Sequence, residues 1–261
     1  MFDFHMHTSV SFDSETPSVD MVNAAVKAGL KEICFTDHWD YHSDPNDAHD
    51  LFSLDDYSKA YDTLKDDRII IRRGIEYGLT EWNIKECDDI LSKRNFHFVI
   101  GSVHFDDGLD PYYPEFWKGM TPERAYRRYL EKTLECVELH NNFDVLGHLT
   151  YVCKSAHNPS SSPVTYEGNE EISDEIMKLL VKKGKGMEIN TSGVNKTGDF
   201  LPPAAFLRRF KELGGEIVTI GSDAHTPDRV GEYSKEGLEI LKDIFGYVCT
   251  FENRKPVFHK L

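Results

Sequence analysis

The stretch DFHMHTSVSFDSE, residues 3–15, sets His5 and His7 two positions apart and follows them with Asp13. The residues before them, Met1–Phe4, read as a short strand, and residues i and i+2 of a strand point to one face. Both imidazoles can then aim at a single point, which is how a metal ion is gripped. Two solvated histidines near a chain start would look the same, so the rest of the chain has to decide. Each later apolar run ends in similar chemistry: Asp37 and His38 in FTDHWD, Glu76 in GIEYG, His104 in GSVH and His148 in GHLTY. The sixth run ends in EINTSG, with Glu188, Asn190 and Ser192, and the seventh in GSDAH, with Asp223 and His225. Parallel barrel strands open their C-terminal ends on one face, so six of the twelve histidines, with Asp13, Glu76 and Asp223, are expected on one rim.

Imidazoles and carboxylates without cysteine suit Zn²⁺, Mn²⁺ or Fe better than Mg²⁺ or Ca²⁺, which prefer all-oxygen shells. One tetrahedral zinc needs about four ligands, and the rim offers more than that, so two or three ions sharing carboxylates are expected. Ions ~3.5–4 Å apart clamp the attacking and leaving oxygens of a phosphoryl group, which is hydrolytic chemistry on phosphate esters. The other histidines read as structural or solvated: His97 precedes a strand, His140 ends a helix, His259 lies in the tail, and His42, His49 and His157 lie in loops.

The elements that must position these groups alternate along the chain. Strands are predicted at Phe2–Phe4, Ile33–Phe35, Ile69–Ile75, Phe98–Ile100, Asp144–Leu146, Gly186–Ile189 and Ile217–Ile220. A helix is predicted after Thr16, as N-cap, and Pro17, closing at Gly29, and another opens at Thr121-Pro122. Further helices are predicted near Asp55–Leu64, Trp82–Lys93, Asn169–Lys183, Pro203–Leu213 and Lys235–Phe245. Strand–helix alternation of this kind builds a parallel barrel or an open sheet, here as a single domain over residues 1–261. Long loops after the second, fourth and fifth strands would form a site mouth.

Bulk properties narrow the function. A chain of 261 residues can bury a sizeable core. A net charge of −15 argues against nucleic acid, whose phosphates demand clustered Lys and Arg. It also repels an anionic substrate unless bound cations reverse the field locally. No apolar run approaches the ~20 residues needed to span a bilayer, and no signal-peptide pattern interrupts the reading. Five scattered cysteines without a C-x-x-C pair fit a reducing cytoplasm.

In order, the segments HMHTSVSFDSE, CFTDHWD, RGIEYG, IGSVHF, FDVLGHLTY, EINTSG and IGSDAHTPDRVG resemble those of the polymerase and histidinol phosphatase (PHP) family of metal-dependent phosphoesterases, over nearly the whole chain. Within the family the chain is most similar to the stand-alone histidinol-phosphate phosphatases. The resemblance implies an α/β fold, a distorted (β/α)7 TIM-like barrel, holding three metals. It implies that His5, His7, Glu76 and Asp223 hold a first ion and that Glu76 bridges to a second held by His104 and His148. Asp13, His38 and His225 would hold a third, with Asp13 standing where many relatives have histidine. Relatives often meet the phosphate with arginines in two rim loops; here Lys154 and Lys196 stand there, with Arg229 nearby. Lysine carries phosphate charge without a bidentate fork.

The expected activity is hydrolysis of a small phosphomonoester, L-histidinol phosphate to L-histidinol in histidine biosynthesis. Glu76, Asp223 and His225 are the expected catalytic residues, with Asp223 or His225 protonating the leaving alkoxide. The same chemistry on another phosphomonoester is the alternative. An amidohydrolase-type enzyme also starts from His-x-His, but often bridges its metals with a modified lysine, and no lysine ends the fourth strand. A non-catalytic metal-binding module is disfavoured by the intact ligand set. The oligomeric state stays open.

Overall fold

A computed structural model describes residues 1–41, 50–155, 157–158 and 162–261. Seven parallel strands form the central sheet: β1 (Phe2–Asp3), β2 (Glu32–Phe35), β5 (Ile70–Gly78), β6 (Phe98–Ser102), β7 (Val145–Leu146), β8 (Gly186–Asn190) and β9 (Val218–Gly221), paired in that order. Runs such as EICF, FVIGS and VTIG are buried along their full length, as strands covered on both faces must be. The sheet nearly closes. The backbone N–H of Phe4 donates to Ile220 O at 2.9 Å, that of Asp223 to His5 O at 2.7 Å, and that of His7 to Ala224 O at 2.8 Å. The distorted barrel inferred from the sequence is thus the observed architecture, and its closure sets the first strand against the last.

Helices α1 (Ser18–Lys27), α2 (Leu54–Tyr61), α3 (Ile84–Lys93), α4 (Pro114–Trp117), α5 (Pro122–Leu139), α6 (Glu170–Lys183), α7 (Val194–Thr197), α8 (Ala204–Glu212) and α9 (Ser234–Ile244) complete the order. The longer ones bury one face: Ile172, Ile176, Met177 and Leu180 in α6, and Phe206, Leu207 and Phe210 in α8. Thr121 caps α5 by accepting the N–H of Arg124. The sequence-based cap of α1 is corrected: Pro17, not Thr16, occupies that position, and the Thr16 hydroxyl donates to the backbone oxygen of His225 at 3.0 Å. A bond to the rim replaces a bond to the helix.

Two other differences bear on the site. Strand β5 runs past Ile75 to Gly78, so Glu76 lies inside it, because β6 pairs with it to the end and β3 (His38–Asp40) pairs with it at His38↔Glu76. Strand β3 also pairs with β4 (Asp50–Leu51), a short edge that the sequence pattern does not reveal. At the barrel's other end β10 (Tyr247–Glu252) and β11 (Lys255–Lys260) form a hairpin, read from the sequence only as tail.

Candidate metal centre

Barrel closure and β5's length bring the rim residues together around Glu76. Its Oε2 lies 3.0 Å from His5 Nε2, 3.5 Å from His7 Nε2 and 3.2 Å from His38 Nδ1. Its Oε1 lies 2.9 Å from His148 Nε2 and 3.4 Å from His104 Nε2, and accepts the Ser102 hydroxyl at 2.6 Å. Asp223 Oδ1 stands 3.4 Å from His7 Nε2 and 3.8 Å from His5 Nε2. At the mouth Asp13 Oδ2 is 2.9 Å from His225 Nε2 and 3.7 Å from His38 Nε2. All nine ligand candidates read from the sequence therefore share one site.

Backbone geometry is bent to this purpose. Asp223 adopts φ +55°, a left-handed conformation that costs a non-glycine residue of order 1 kcal/mol and recurs where function demands it. Gly221 is required by close approach: a Cβ there would lie 2.2 Å from His5 Cβ and 2.4 Å from Glu188 Oε1.

The residues that hold these ligands were largely missed in the sequence. His5 Nδ1 donates to Glu188 Oε1 at 2.7 Å, while Glu188 Oε2 accepts the backbone N–H of His148 at 2.9 Å. His104 Nδ1 donates to Asp40 Oδ2 at 2.7 Å, and His225 Nδ1 to the backbone oxygen of Asp223 at 2.9 Å. The Ser11 hydroxyl donates to Asp37 Oδ1 at 3.2 Å, which turns its lone pairs toward the backbone N–H of His38 at 2.9 Å and His7 Nδ1 at 3.0 Å. In His5, His7, His104 and His225 these contacts favour the tautomer that carries its proton on Nδ1 and presents Nε2 to the centre, the arrangement that second-sphere acceptors impose on metal-binding histidines. Glu188 follows its strand's apolar run in the sequence, but nothing there distinguishes a ligand from a support. Asp40 carries no signal of its own.

Electrostatics then demand a cation. Burial, joined by the neighbouring His225 and His38, lowers the pKa of His7 to about 3, so near neutral pH its Nε2 is a bare lone pair. That lone pair faces carboxylate oxygens of Asp223 and Glu76, and acceptors do not bind acceptors. Among the described residues, His5 Nε2, His7 Nε2 and Glu76 Oε2 are buried without a hydrogen-bond partner. Burial opposes the charged form of both His5 and Glu76, yet the opposite charges around them prevail: Glu188, Glu76 and Asp223 push His5 well up, and His5, His38 and His104 hold Glu76 well down. Groups of three candidate ligands lie within 4.8 Å of one another: His5, His7 and Asp223; His5, Glu76 and His148; His7, His38 and His225; and His38, Asp40 and His104. The donor set fits more than one divalent ion of the zinc, manganese or iron type.

A cavity of about 630 Å³ opens above this cluster, lined by Asp13, His38, His104, His148, Lys154 and Asp223 together with Phe12, Tyr112 and Tyr151. Lys154 reaches it: its Nζ bonds Asp223 Oδ2 at 2.7 Å. Burial disfavours its charge, but Asp223 and Glu76 raise its pKa above the ordinary lysine value, so it stays cationic. Lys196 and Arg229, the other two cations assigned to the phosphate from the sequence, are not among the residues that line the cavity. Lys196 is exposed on the short helix α7, and Arg229 is turned onto Glu232 at 2.8 Å. His140 and His259 are structural, bonded to Thr80 O at 2.8 Å and to Thr250 Oγ1 at 2.7 Å, while His42 and His49 fall outside the described residues.

Barrel and centre together define a phosphoesterase of the PHP class: the model of the PHP domain matches residues 3–192, and the chain belongs to that family. Among its relatives, the chain is 34% identical to the histidinol-phosphatase of Lactococcus lactis over 97% of this chain and 95% of that one. It is 31% identical to a protein of Clostridium acetobutylicum named "Probable histidinol-phosphatase", over 99% and 96% of the two chains. A solved structure of the Lactococcus lactis histidinol phosphate phosphatase, complexed with zinc, L-histidinol and phosphate, superposes with a TM-score of 0.83 at 29% identity, covering 98% of each chain.

Proposed function

We propose that this chain is a metal-dependent phosphomonoesterase that hydrolyses L-histidinol phosphate to L-histidinol and phosphate. The observation that carries the metal chemistry is the convergence of five imidazoles on the two oxygens of Glu76, with the unprotonated His7 facing carboxylates. The substrate is supported by similarity to the Lactococcus lactis histidinol-phosphatase along nearly the whole chain.

His5, His7, Glu76 and Asp223 would hold one ion, Glu76, His104 and His148 a second, and Asp13, His38 and His225 a third. When bound, such ions activate a water nucleophile and neutralise charge on the phosphoryl oxygens. The chain's own groups do the rest. Glu188, Asp40 and the Ser11–Asp37 pair keep the ligand imidazoles in the tautomer that presents Nε2. Lys154 Nζ, anchored on Asp223 beside the centre, places a positive charge on the phosphate. Asp223 is held well below the ordinary carboxylate range, since Lys154 and His5 outweigh the opposing effect of its burial, and it has no proton to give near neutral pH. The choice between Asp223 and His225 for protonating the alkoxide therefore falls on His225, at the mouth against Asp13. If Asp13, His38 and His225 held a third ion, that ion would supply charge neutralisation at the leaving oxygen and His225 would serve as its ligand instead of as the acid. Catalysis is placed in a reducing cytoplasm, a location supported by five buried cysteines, all free thiols.

The test is a substrate panel on zinc- or manganese-loaded protein of known metal content. kcat/KM for histidinol phosphate is expected to exceed that for p-nitrophenyl phosphate and nucleoside monophosphates by at least ~100-fold, about 2.7 kcal/mol of transition-state binding. Equal values across the panel would overturn the substrate assignment.

A further inference from the structure

Five aspartates line the cavity, Asp13, Asp40, Asp50, Asp110 and Asp223, and of these Asp13, Asp40 and Asp223 face histidine or lysine. Asp110 does not. It lies half-buried on the wall, in the loop after β6, and no described Lys, Arg or His side chain comes within ion-pairing distance of it. Its Oδ1 accepts the backbone N–H of Tyr112 at 2.7 Å and the hydroxyl of Tyr151 at 3.2 Å, which fix the carboxylate, while its second oxygen makes no such bond among the described residues.

The surroundings match a cation. Tyr112, Tyr113, Tyr151, Phe12 and Phe105 line the same cavity, and aromatic faces attract ammonium groups. The Tyr151 ring also lies 5.1 Å from the His148 ring and 5.4 Å from that of His104. The Asp110 carboxylate is thus one side chain away from two proposed metal ligands. In histidinol phosphate the amine sits on the carbon next to the one bearing the ester oxygen. A group that binds the amine must accordingly stand close to the group that binds phosphate, and Lys154 and Asp110 line one cavity with opposite charge.

We infer that Asp110 is the subsite for a primary ammonium on the carbon next to the phosphate ester, and so selects cationic substrates. The inference rests on the proposed substrate reading and deepens it. It also explains how so acidic a chain handles a phosphate: the metals and Lys154 take the anionic end, and Asp110 takes the cationic end.

The test replaces Asp110 by Asn, which keeps an oxygen for the Tyr112 N–H, in the metal-loaded enzyme. KM for histidinol phosphate is expected to rise about 10–100-fold, the loss of a hydrogen bond to a charged group, with kcat changed less than ~3-fold. Product inhibition by L-histidinol should weaken to a similar degree, and inhibition by inorganic phosphate should not. On imidazolylpropanol phosphate, the same ester without the amine, the difference between wild type and variant should largely disappear. Equal losses on both esters, or none on histidinol phosphate, would overturn the subsite while leaving the substrate reading intact. A wild type that treats the two esters alike would likewise overturn the subsite, whereas equal values across the whole phosphomonoester panel would overturn the substrate reading as well. Unaltered metal content and melting temperature in Asp110→Asn show that the variant is folded.

Discussion

The two ends of the barrel both bury charge, and they treat it in opposite ways. At the base, Asp144 Oδ2 accepts the Val99 N–H at 2.9 Å and the Arg254 Nε–H at 2.6 Å, so the β10–β11 turn is clamped to the sheet. Beside it Arg72 joins Glu32 at 2.7 Å and Glu252 at 2.9 Å. Phe251 packs on Phe98 with ring centroids 4.8 Å apart. These charges find complementary partners within the chain. At the rim, carboxylates and imidazoles are equally well buried and close to one another, yet Nε2 of His5 and His7 and Oε2 of Glu76 make no hydrogen bond among the described residues. Satisfied buried charge fixes a structure, whereas unsatisfied buried charge is a cost that a ligand must offset. The difference separates the end that holds the barrel from the end that does the chemistry.

The largest effect that could break this contrast is at its centre. Glu76→Gln removes the charge on which five imidazoles converge, and should lower bound metal and cut kcat/KM by at least ~10³-fold, even in excess zinc, as expected for losing interactions on which the reaction depends. Full metal occupancy with normal turnover would place the bridge elsewhere. A smaller effect is expected one layer out. Glu188→Gln can turn an N–H toward His5 Nδ1, which disfavours the tautomer that presents Nε2, and zinc affinity should fall about 10–100-fold. Competition titration against a chromophoric chelator measures it, and an unchanged affinity would mean that His5 is oriented by packing alone. The smallest effect belongs to the base. Arg254→Met leaves Asp144 short of a partner, but Arg254 is partly exposed, so the loss should be only about 1–2 kcal/mol of unfolding free energy. Denaturant unfolding reads it, and metal content and kcat/KM should stay within ~2-fold of wild type. A fall in metal content would show that the two ends are coupled.

The nine rim ligand candidates were legible because each follows or interrupts an apolar run, and the barrel brings all strand ends to one face. The seven sheet strands were legible for the same reason, as short buried-type runs between amphipathic helices. Their supports were not. Glu188, Asp40, Ser11 and Asp37 act through contacts with residues distant in the chain, and the Glu188–His5 bond spans 183 positions. No local pattern of period 2 or 3.6 encodes such a pairing. The same limit hid the surroundings of Lys196 and Arg229: both follow rim strands, but one side chain faces solvent and the other a glutamate.

What the sequence determined by itself was the inventory and its order, since ligand chemistry belongs to residue type and strand periodicity to spacing. What only the tertiary structure decided was which atoms meet. Closure of β9 onto the first strand set Asp223 against His5 and His7, whose Nε2 atoms make no hydrogen bond among the described residues. The path of the loop after β6 left Asp110 on the cavity wall with no ion-pairing cation among the described residues. Those outcomes depend on three-dimensional distance and burial, because a charge's partner is chosen by proximity in space and the cost of leaving it alone is set by how little water reaches it.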